Sequence, residues 1–331
     1  MSFNKRRSGD TKVTDLILGI EIGGTKLQLS LGTPEGEIVA STKGFVDVST
    51  GSVGIRQWLL EQIPNFIGSS GYSNSRIAAI GCGFGGPIDQ RRGRVLKSVQ
   101  IKGWKDFPLK EWFEEAFKLP TWIENDSNAA TWGEYCLGFG VGCQHFFYTN
   151  IGSGVGGGFV LNGSLFDREG FGAGEFGHTY VPNLINQKLS EPVKIENICS
   201  GWAIEQRLRQ PGYVPASSLL YMLADGNVGQ ISTSNLGEAA QQGDTFALAE
   251  IDLVAHALGI GLANVLCLTN VERIAIGGGV SNLGELLIDR VRKYTDQYIF
   301  VISEGRYQIQ RSFLGESIVV VGAILLASKL L

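Results

Sequence analysis

Residues Leu16–Gly32 read LILGIEIGGTKLQLSLG, two β-prone runs on either side of a glycine turn. Leu16–Ile22 is almost wholly apolar, and Lys26–Gly32 alternates Leu27, Leu29 and Leu31, the period of a strand with one buried face. A third strand, Glu37–Thr42, follows the turn Pro34-Glu35-Gly36, so the chain opens as an antiparallel meander. Gly19–Lys26 imitates the phosphate loop G-x-x-x-x-G-K-[ST]. However, Thr25 precedes Lys26, and a strand follows where that loop requires a helix.

The same opening recurs further along. His145–Ile151 and Gly156–Leu161 predict two strands around Gly152-Ser153-Gly154, and Asn162-Gly163 predicts a hairpin turn, which also accounts for the sequon Asn162-Gly163-Ser164. Between the two openings the pattern predicts helices over Ile55–Ile67, Leu109–Phe117 and Ser127–Leu137, and strands over Arg76–Cys82 and Thr121–Glu124. Later come a helix at Phe246–Leu268, a strand at Arg273–Ile276 and a helix at Val280–Tyr294, before Ile318–Val321 and a final helix. Two halves that begin alike suggest an internal duplication with a cleft between them, the second half carrying an insertion around residues 164–245.

Gly81–Gly86 and Gly152–Gly157 both satisfy G-x-G-x-x-G, but neither opens a helix, so a dinucleotide-binding fold fails on context. What remains is a strand–glycine turn–strand unit used twice. Glycine lets backbone N–H groups approach an anion with no Cβ in the way. Gly23 and Gly24 are joined by the Thr25 hydroxyl and the Lys26 cation, and Gly152 and Gly154 by the Ser153 hydroxyl. Either hairpin alone reads as well as a tight turn; both together, with Gly277, Gly278 and Gly279 closing a third strand, suit the two ends of a polyphosphate.

Glu124-Asn125-Asp126-Ser127-Asn128 lies where a strand meets a helix. Asp126 or Ser127 is either the helix N-cap or, for Asp126, a cleft-facing carboxylate able to accept a hydroxyl proton. Asn125 beside it would orient a hydroxyl. Glu175 and His178 stand three apart, on one face of a helical turn, and suit a polyol. His145 and His256 read as structural, and Arg91, Arg92 and Arg94 as a solvated hairpin tip.

Composition bounds the rest. The 331 residues predict about two domains. Glycine, 46 residues or about 14%, is double its usual share, and charged residues at 18% are few. A net charge of −4 argues against a nucleic-acid partner. The longest apolar runs, Ala257–Leu268 and Ile318–Ala327, fall short of a membrane span of about 20 residues. Met1–Asp10 is basic without an apolar segment and reads as a solvated lead, not a signal peptide. Five scattered cysteines give no C-x-x-C pair, which fits a reducing cytoplasm.

Six short motifs in order carry a resemblance: GIEIGGTK (Gly19–Lys26), GFGGPID (Gly83–Asp89), NDSNAA (Asn125–Ala130), GSGVGGG (Gly152–Gly158), GEFGH (Gly174–His178) and IGGGVS (Ile276–Ser281). The chain resembles the ROK family of sugar kinases and repressors, in the glucokinase-like branch of the actin/Hsp70/hexokinase superfamily. The resemblance implies an α/β, two-domain actin-like ATPase (ribonuclease H-like) fold. Its expected division is a flexible lead (1–13), a small N-terminal domain (14–126 plus about 316–331) and a large domain (127–315). It implies ATP-dependent phosphorylation of a hexose, glucose at its 6-hydroxyl first. Asp126 would be the base, with Gly86, Asn125, Glu175, His178 and Glu196 (of Ile195–Gly201, IENICSG) at the sugar. Gly23–Lys26 and Gly152–Gly154 would hold ATP phosphates, Gly277–Gly279 the nucleotide side, and Mg²⁺ would ride on the phosphates with few protein ligands. A small-molecule sugar, no nucleic acid, no membrane and a homodimer are the expected partner profile.

Two departures qualify the resemblance. The family often binds zinc through cysteines after the GEFGH segment, but Thr179–Ile195 contains none, so no zinc is expected and something else must orient His178. Gln100 stands where a family Asn approaches the sugar, which opens the sugar's identity: mannose, fructose and N-acetylhexosamines are alternatives, and polyphosphate an alternative donor. A strand beginning at about Leu16 leaves no room before it for a repressor's helix-turn-helix domain. A catalytically silent sugar sensor is the competing reading, against which every expected catalytic position is filled.

Overall fold

The computed structural model describes residues 15–98, 101–166, 174–185 and 188–331; Gln100 lies outside them. The opening forms strands β1 (Leu16–Ile22), β2 (Lys26–Gly32) and β3 (Ile38–Phe45), followed by helix α1 (Gly51–Ser69) and strand β4 (Ile77–Phe84). A small three-stranded sheet, β5 (Ile88–Asp89), β6 (Arg94–Lys97) and β7 (Lys105–Phe107), precedes α2 (Leu109–Phe117), β8 (Thr121–Asn125) and α3 (Asp126–Leu137). The second half has β9 (Phe146–Ile151), β10 (Val155–Leu161), β11 (Ser164–Leu165), and the hairpin β12 (Tyr180–Asn183) and β13 (Lys188–Lys194). Helices α4 (Glu196–Cys199), α5 (Gly201–Leu208), α6 (Leu219–Leu223), α7 (Thr233–Gln241) and α8 (Thr245–Thr269) follow. Then come β14 (Arg273–Gly277), α9 (Glu285–Tyr298), β15 (Gln308–Arg311) and α10 (Ile318–Ala327).

The first main sheet runs β3-β2-β1-β4-β8 and the second β11-β10-β9-β14-β15. In each, a hairpin places its first strand antiparallel to the second and parallel to a later strand, which pairs in parallel with the last. The duplication expected from the two glycine hairpins is therefore a repeat of strand order. Strand β1 is central and buried on both faces, which explains why LILGIEI is a near-continuous apolar run.

Helix α10, IVVVGAILLA, is apolar on all sides because it is buried on all sides, between the first sheet and α3. Ile318–Val321, set apart from the final helix in the sequence reading, is its first turn: burial on every face outweighs the β preference of the branched residues. Close approach demands glycine here. A Cβ on Gly81 would stand 2.1 Å from the Ala323 carbonyl oxygen, and one on Gly322 would stand 1.7 Å from that of Ala129 in α3. Buried Glu134 in α3 accepts hydrogen bonds from Ser312 Oγ (2.7 Å), Phe313 N (2.9 Å) and Leu314 N (3.3 Å), fastening the segment that leads into α10.

Val280–Tyr294 is not one helix. Gly284, at φ +63°, ends a 3₁₀ turn over Gly279–Leu283 and starts α9. Helix α8 reaches 25 residues, held by the Asp244 side chain at its start and left-handed Asn270 at its end. By length and composition it is long and apolar enough to cross a membrane, but it is mostly buried in the core of the second half. Its Glu250 is buried too, paired to Arg207 Nε at 2.9 Å.

Candidate active site

The N-terminus of α3 organises the site. Asn125, not Asp126 or Ser127, is the N-cap: its Oδ1 accepts from Ser127 N (3.0 Å) and Asn128 N (3.1 Å), and its Nδ2 donates to the Gly86 carbonyl (3.1 Å). Among the described residues one amide hydrogen of Asn125 is left for another partner. Capping by Asn125 frees Asp126 to occupy the first helical position, half-buried at the end of the sheet. Asp126 Oδ1 accepts from Ser127 N at 2.7 Å, while Oδ2 lies 3.4 Å from where a Cβ on Gly85 would stand. That same point is 3.5 Å from Gly23 Cα, so the carboxylate sits beside the first glycine turn. Burial pushes the Asp126 carboxyl up to about 6, with Glu21 and Glu175 raising it further and the Ser127 hydrogen bonds opposing.

At the first turn, Gly23 N donates to the Lys26 carbonyl at 3.0 Å, and Gly23, Gly24 and Thr25 reach the surface. Lys26 Nζ pairs with Glu21 Oε2 at 2.9 Å. Burial raises the Glu21 carboxyl and Lys26 pulls it back. Glu21 is a site residue that the motifs do not single out, although a lone acid inside an apolar strand is a readable signal, since buried charges need a partner.

At the second turn, Gly152 N donates to the Gly154 carbonyl (2.9 Å) and Gly201 N to the Gly152 carbonyl (2.7 Å). Glu196 braces this turn: its Oε2 accepts from Val155 N at 2.9 Å, one carboxylate oxygen remaining. Ser153 is exposed, and nothing lies within 4 Å of a would-be Cβ on Gly152 or Gly279, so both backbones face open space. Gly277 does not face that space: it is buried in β14, where a Cβ would stand 2.4 Å from the Tyr148 hydroxyl.

Glu175 precedes the 3₁₀ turn Phe176–His178, and both Glu175 and His178 are exposed. His178 Nδ1 is 3.0 Å from Lys194 Nζ, on β13. An ammonium has no lone pair, so Lys194 donates, Nδ1 accepts, and the imidazole proton sits on Nε2. Lys194 thus holds His178 as the sequence departure required. Among the described residues no three His, Cys, Asp or Glu side chains gather as a metal site.

Residues 17–330 match the ROK family. The chain belongs to the ROK family. It is similar to a glucokinase of Halalkalibacterium halodurans, 31% identical with 92% of each chain covered. Among solved structures it is similar to a ROK family glucokinase from Streptomyces griseus in complex with glucose and AMPPNP: 32% identity, TM-score 0.80, covering 95% of this chain and 99% of that one. A xylose repressor of Caldicellulosiruptor bescii is 27% identical over 93% of this chain and 77% of its own length. The two matched sheets are the two-domain actin-like ATPase fold of ROK sugar kinases.

Within this ROK chain, Asp126, Glu21 and Glu175 share one electrostatic neighbourhood, with the first glycine turn beside it and the second reached through Ser127 and Asn150. Such an arrangement can take a proton from a hydroxyl at one carboxylate oxygen and offer backbone N–H groups and a lysine to anionic oxygens.

Proposed function

We propose that the chain is a hexose kinase that transfers a phosphoryl group from ATP to the 6-hydroxyl of glucose, with Asp126 as general base. The observation that carries this reading is the Asp126 carboxylate beside a glycine turn, one oxygen fixed by Ser127 N and the other without a hydrogen-bond donor among the described residues. Similarity to curated glucokinases over nine-tenths of the chain supports the reaction class. The AMPPNP and glucose bound by the Streptomyces griseus protein support the donor and acceptor.

Asp126 Oδ2 accepts the hydroxyl proton as the oxygen attacks phosphorus. A carboxyl near 6 is a better base than an ordinary aspartate, yet remains mostly ionised at pH 7. Asn125, Glu175, His178 and Glu196 orient sugar hydroxyls, with His178 donating from Nε2, and the Gly86 carbonyl fixes the Asn125 amide. Gly23–Lys26 and Gly152–Gly154 receive the phosphates, and Gly278 and Gly279 the nucleotide side. The open backbones of Gly152 and Gly279 fit such a ligand. Mg²⁺ supplies charge neutralisation to those phosphates.

ADP release measured across a hexose panel, with ATP or polyphosphate as donor, tests the substrates. Asp126→Asn lowers kcat by about 10²–10⁴ while sugar binding persists. Near-normal turnover in that variant removes the base, and no turnover with any hexose favours the silent sensor.

A further inference from the structure

Ser127 has one hydroxyl proton and two acceptors within reach. Asn150 Oδ1 lies 3.0 Å away on β9, and Asp126 Oδ1 lies 3.4 Å away. The geometry favours Asn150. The junction is tightly enclosed, because a Cβ on Gly156 of β10 would stand 2.2 Å from Ser127 Oγ and 2.6 Å from Asn150 Oδ1. Gly156, in the strand after the second glycine turn, is therefore space reserved for this hydrogen bond. The carboxylate that Asn150 spares already receives the Ser127 N–H. The charged groups around it are Glu21 from β1, itself paired with Lys26 from β2, and Glu175 from the segment before the 3₁₀ turn.

We infer that Asn150 is a positioning residue for Asp126: it takes the Ser127 hydroxyl proton, leaves that hydroxyl only a long 3.4 Å approach to the carboxylate, and anchors the start of α3 to the strand leading into the second glycine turn. This rests on the reading of Asp126 as the base. A hydroxyl donating to a carboxylate stabilises the anion and makes it a poorer base. Asn150 thus preserves basicity by competing for a proton. Its position two residues before Gly152 ties the base to the hairpin proposed to hold phosphate.

The test is a cycle of Asn150→Ala, Ser127→Ala and the double variant, each verified as folded by its melting curve, with kcat measured from pH 5 to 9. Asn150→Ala frees the Ser127 hydroxyl to turn onto Asp126. Its acidic limb moves down by about 0.5–1 pH unit, and kcat at pH 8 falls several-fold. In the Ser127→Ala background the same substitution leaves the limb in place, because no hydroxyl remains to redirect. ATP ionisation is common to all four proteins and cancels. An unmoved limb in Asn150→Ala, or an equal shift with and without Ser127, overturns the inference. Asp126→Asn serves as the separate control: if it stays active the base reading falls, and if it is dead while the cycle is flat, only the role of Asn150 falls. Should Asn150→Ala fail to fold, Asn150→Ser, which keeps an acceptor, must give the parental limb for the inference to stand.

Discussion

Asp126→Asn should lower kcat by about 10²–10⁴ and make the protein harder to unfold. The carboxyl has a value of 3.8 in an unfolded chain and about 6 in the fold, chiefly because burial disfavours its charge. Between these values the native state holds a proton that the unfolded chain has released, so native stability falls as pH rises through the window. Above about pH 6 the fold carries the whole penalty of an ionised, poorly solvated carboxylate. Two pH units correspond to about 3 kcal/mol at 1.36 kcal/mol each. Asp126 keeps some contact with water, which screens the charge, so about 1–3 kcal/mol is the working range. Asparagine is isosteric and its Oδ1 can still accept from Ser127 N, so the substitution removes the charge and keeps the hydrogen bond. At about 2.1 cal/mol/K per residue, unfolding 331 residues carries about 0.7 kcal/mol/K, and the gain becomes roughly 1.5–4 °C in Tm. Ligand-free thermal and urea unfolding of both proteins at pH 5 and pH 7.5 measures it. The gain should be full at pH 7.5 and about half developed at pH 5. An asparagine variant no more stable than the parent at pH 7.5, or one whose advantage is independent of pH, would refute the account of a half-buried base whose charge the fold disfavours.

Other substitutions probe the frame around that base. Gly322→Ala must push α10 away from the Ala129 carbonyl, and a loss of about 3 kcal/mol is expected in urea unfolding; a parental midpoint would contradict the close helix crossing. Lys26→Met should raise the KM for ATP about tenfold and also destabilise the fold by stranding half-buried Glu21, whereas Lys26→Met/Glu21→Gln should recover stability without recovering affinity. Lys194→Met should raise the sugar KM about three- to tenfold with kcat little changed, about one hydrogen bond's worth. Nitrogen-15 spectra of the three histidines should meanwhile show His178 losing its single Nε2–H tautomer, and an unchanged tautomer would separate Lys194 from His178.

What could be read in the sequence divides by the range of the interaction that carries it. Both glycine hairpins were legible because β1–β2 and β9–β10 pair neighbours along the chain, and their alternation and turn residues lie in one short window. Their duplication was legible for the same reason, and it foreshadowed two sheets of matching strand order. The partners that tune the site were not legible. Ser127 meets Asn150 across 23 positions, and Glu134 reaches Ser312 across 178, with no local pattern to announce either. The glycines show the boundary best. Gly152 and Gly156 stand in one run, GSGVG, yet the first faces open space and the second is filled by Ser127 and Asn150. A glycine left bare for a ligand and one left bare for a neighbouring side chain look the same in one dimension. Only packing separates them, and the contrast yields a distinct expectation for each: Gly152→Ala should spare stability and impair nucleotide binding, whereas Gly156→Ala should dislodge Ser127 and disturb the base itself.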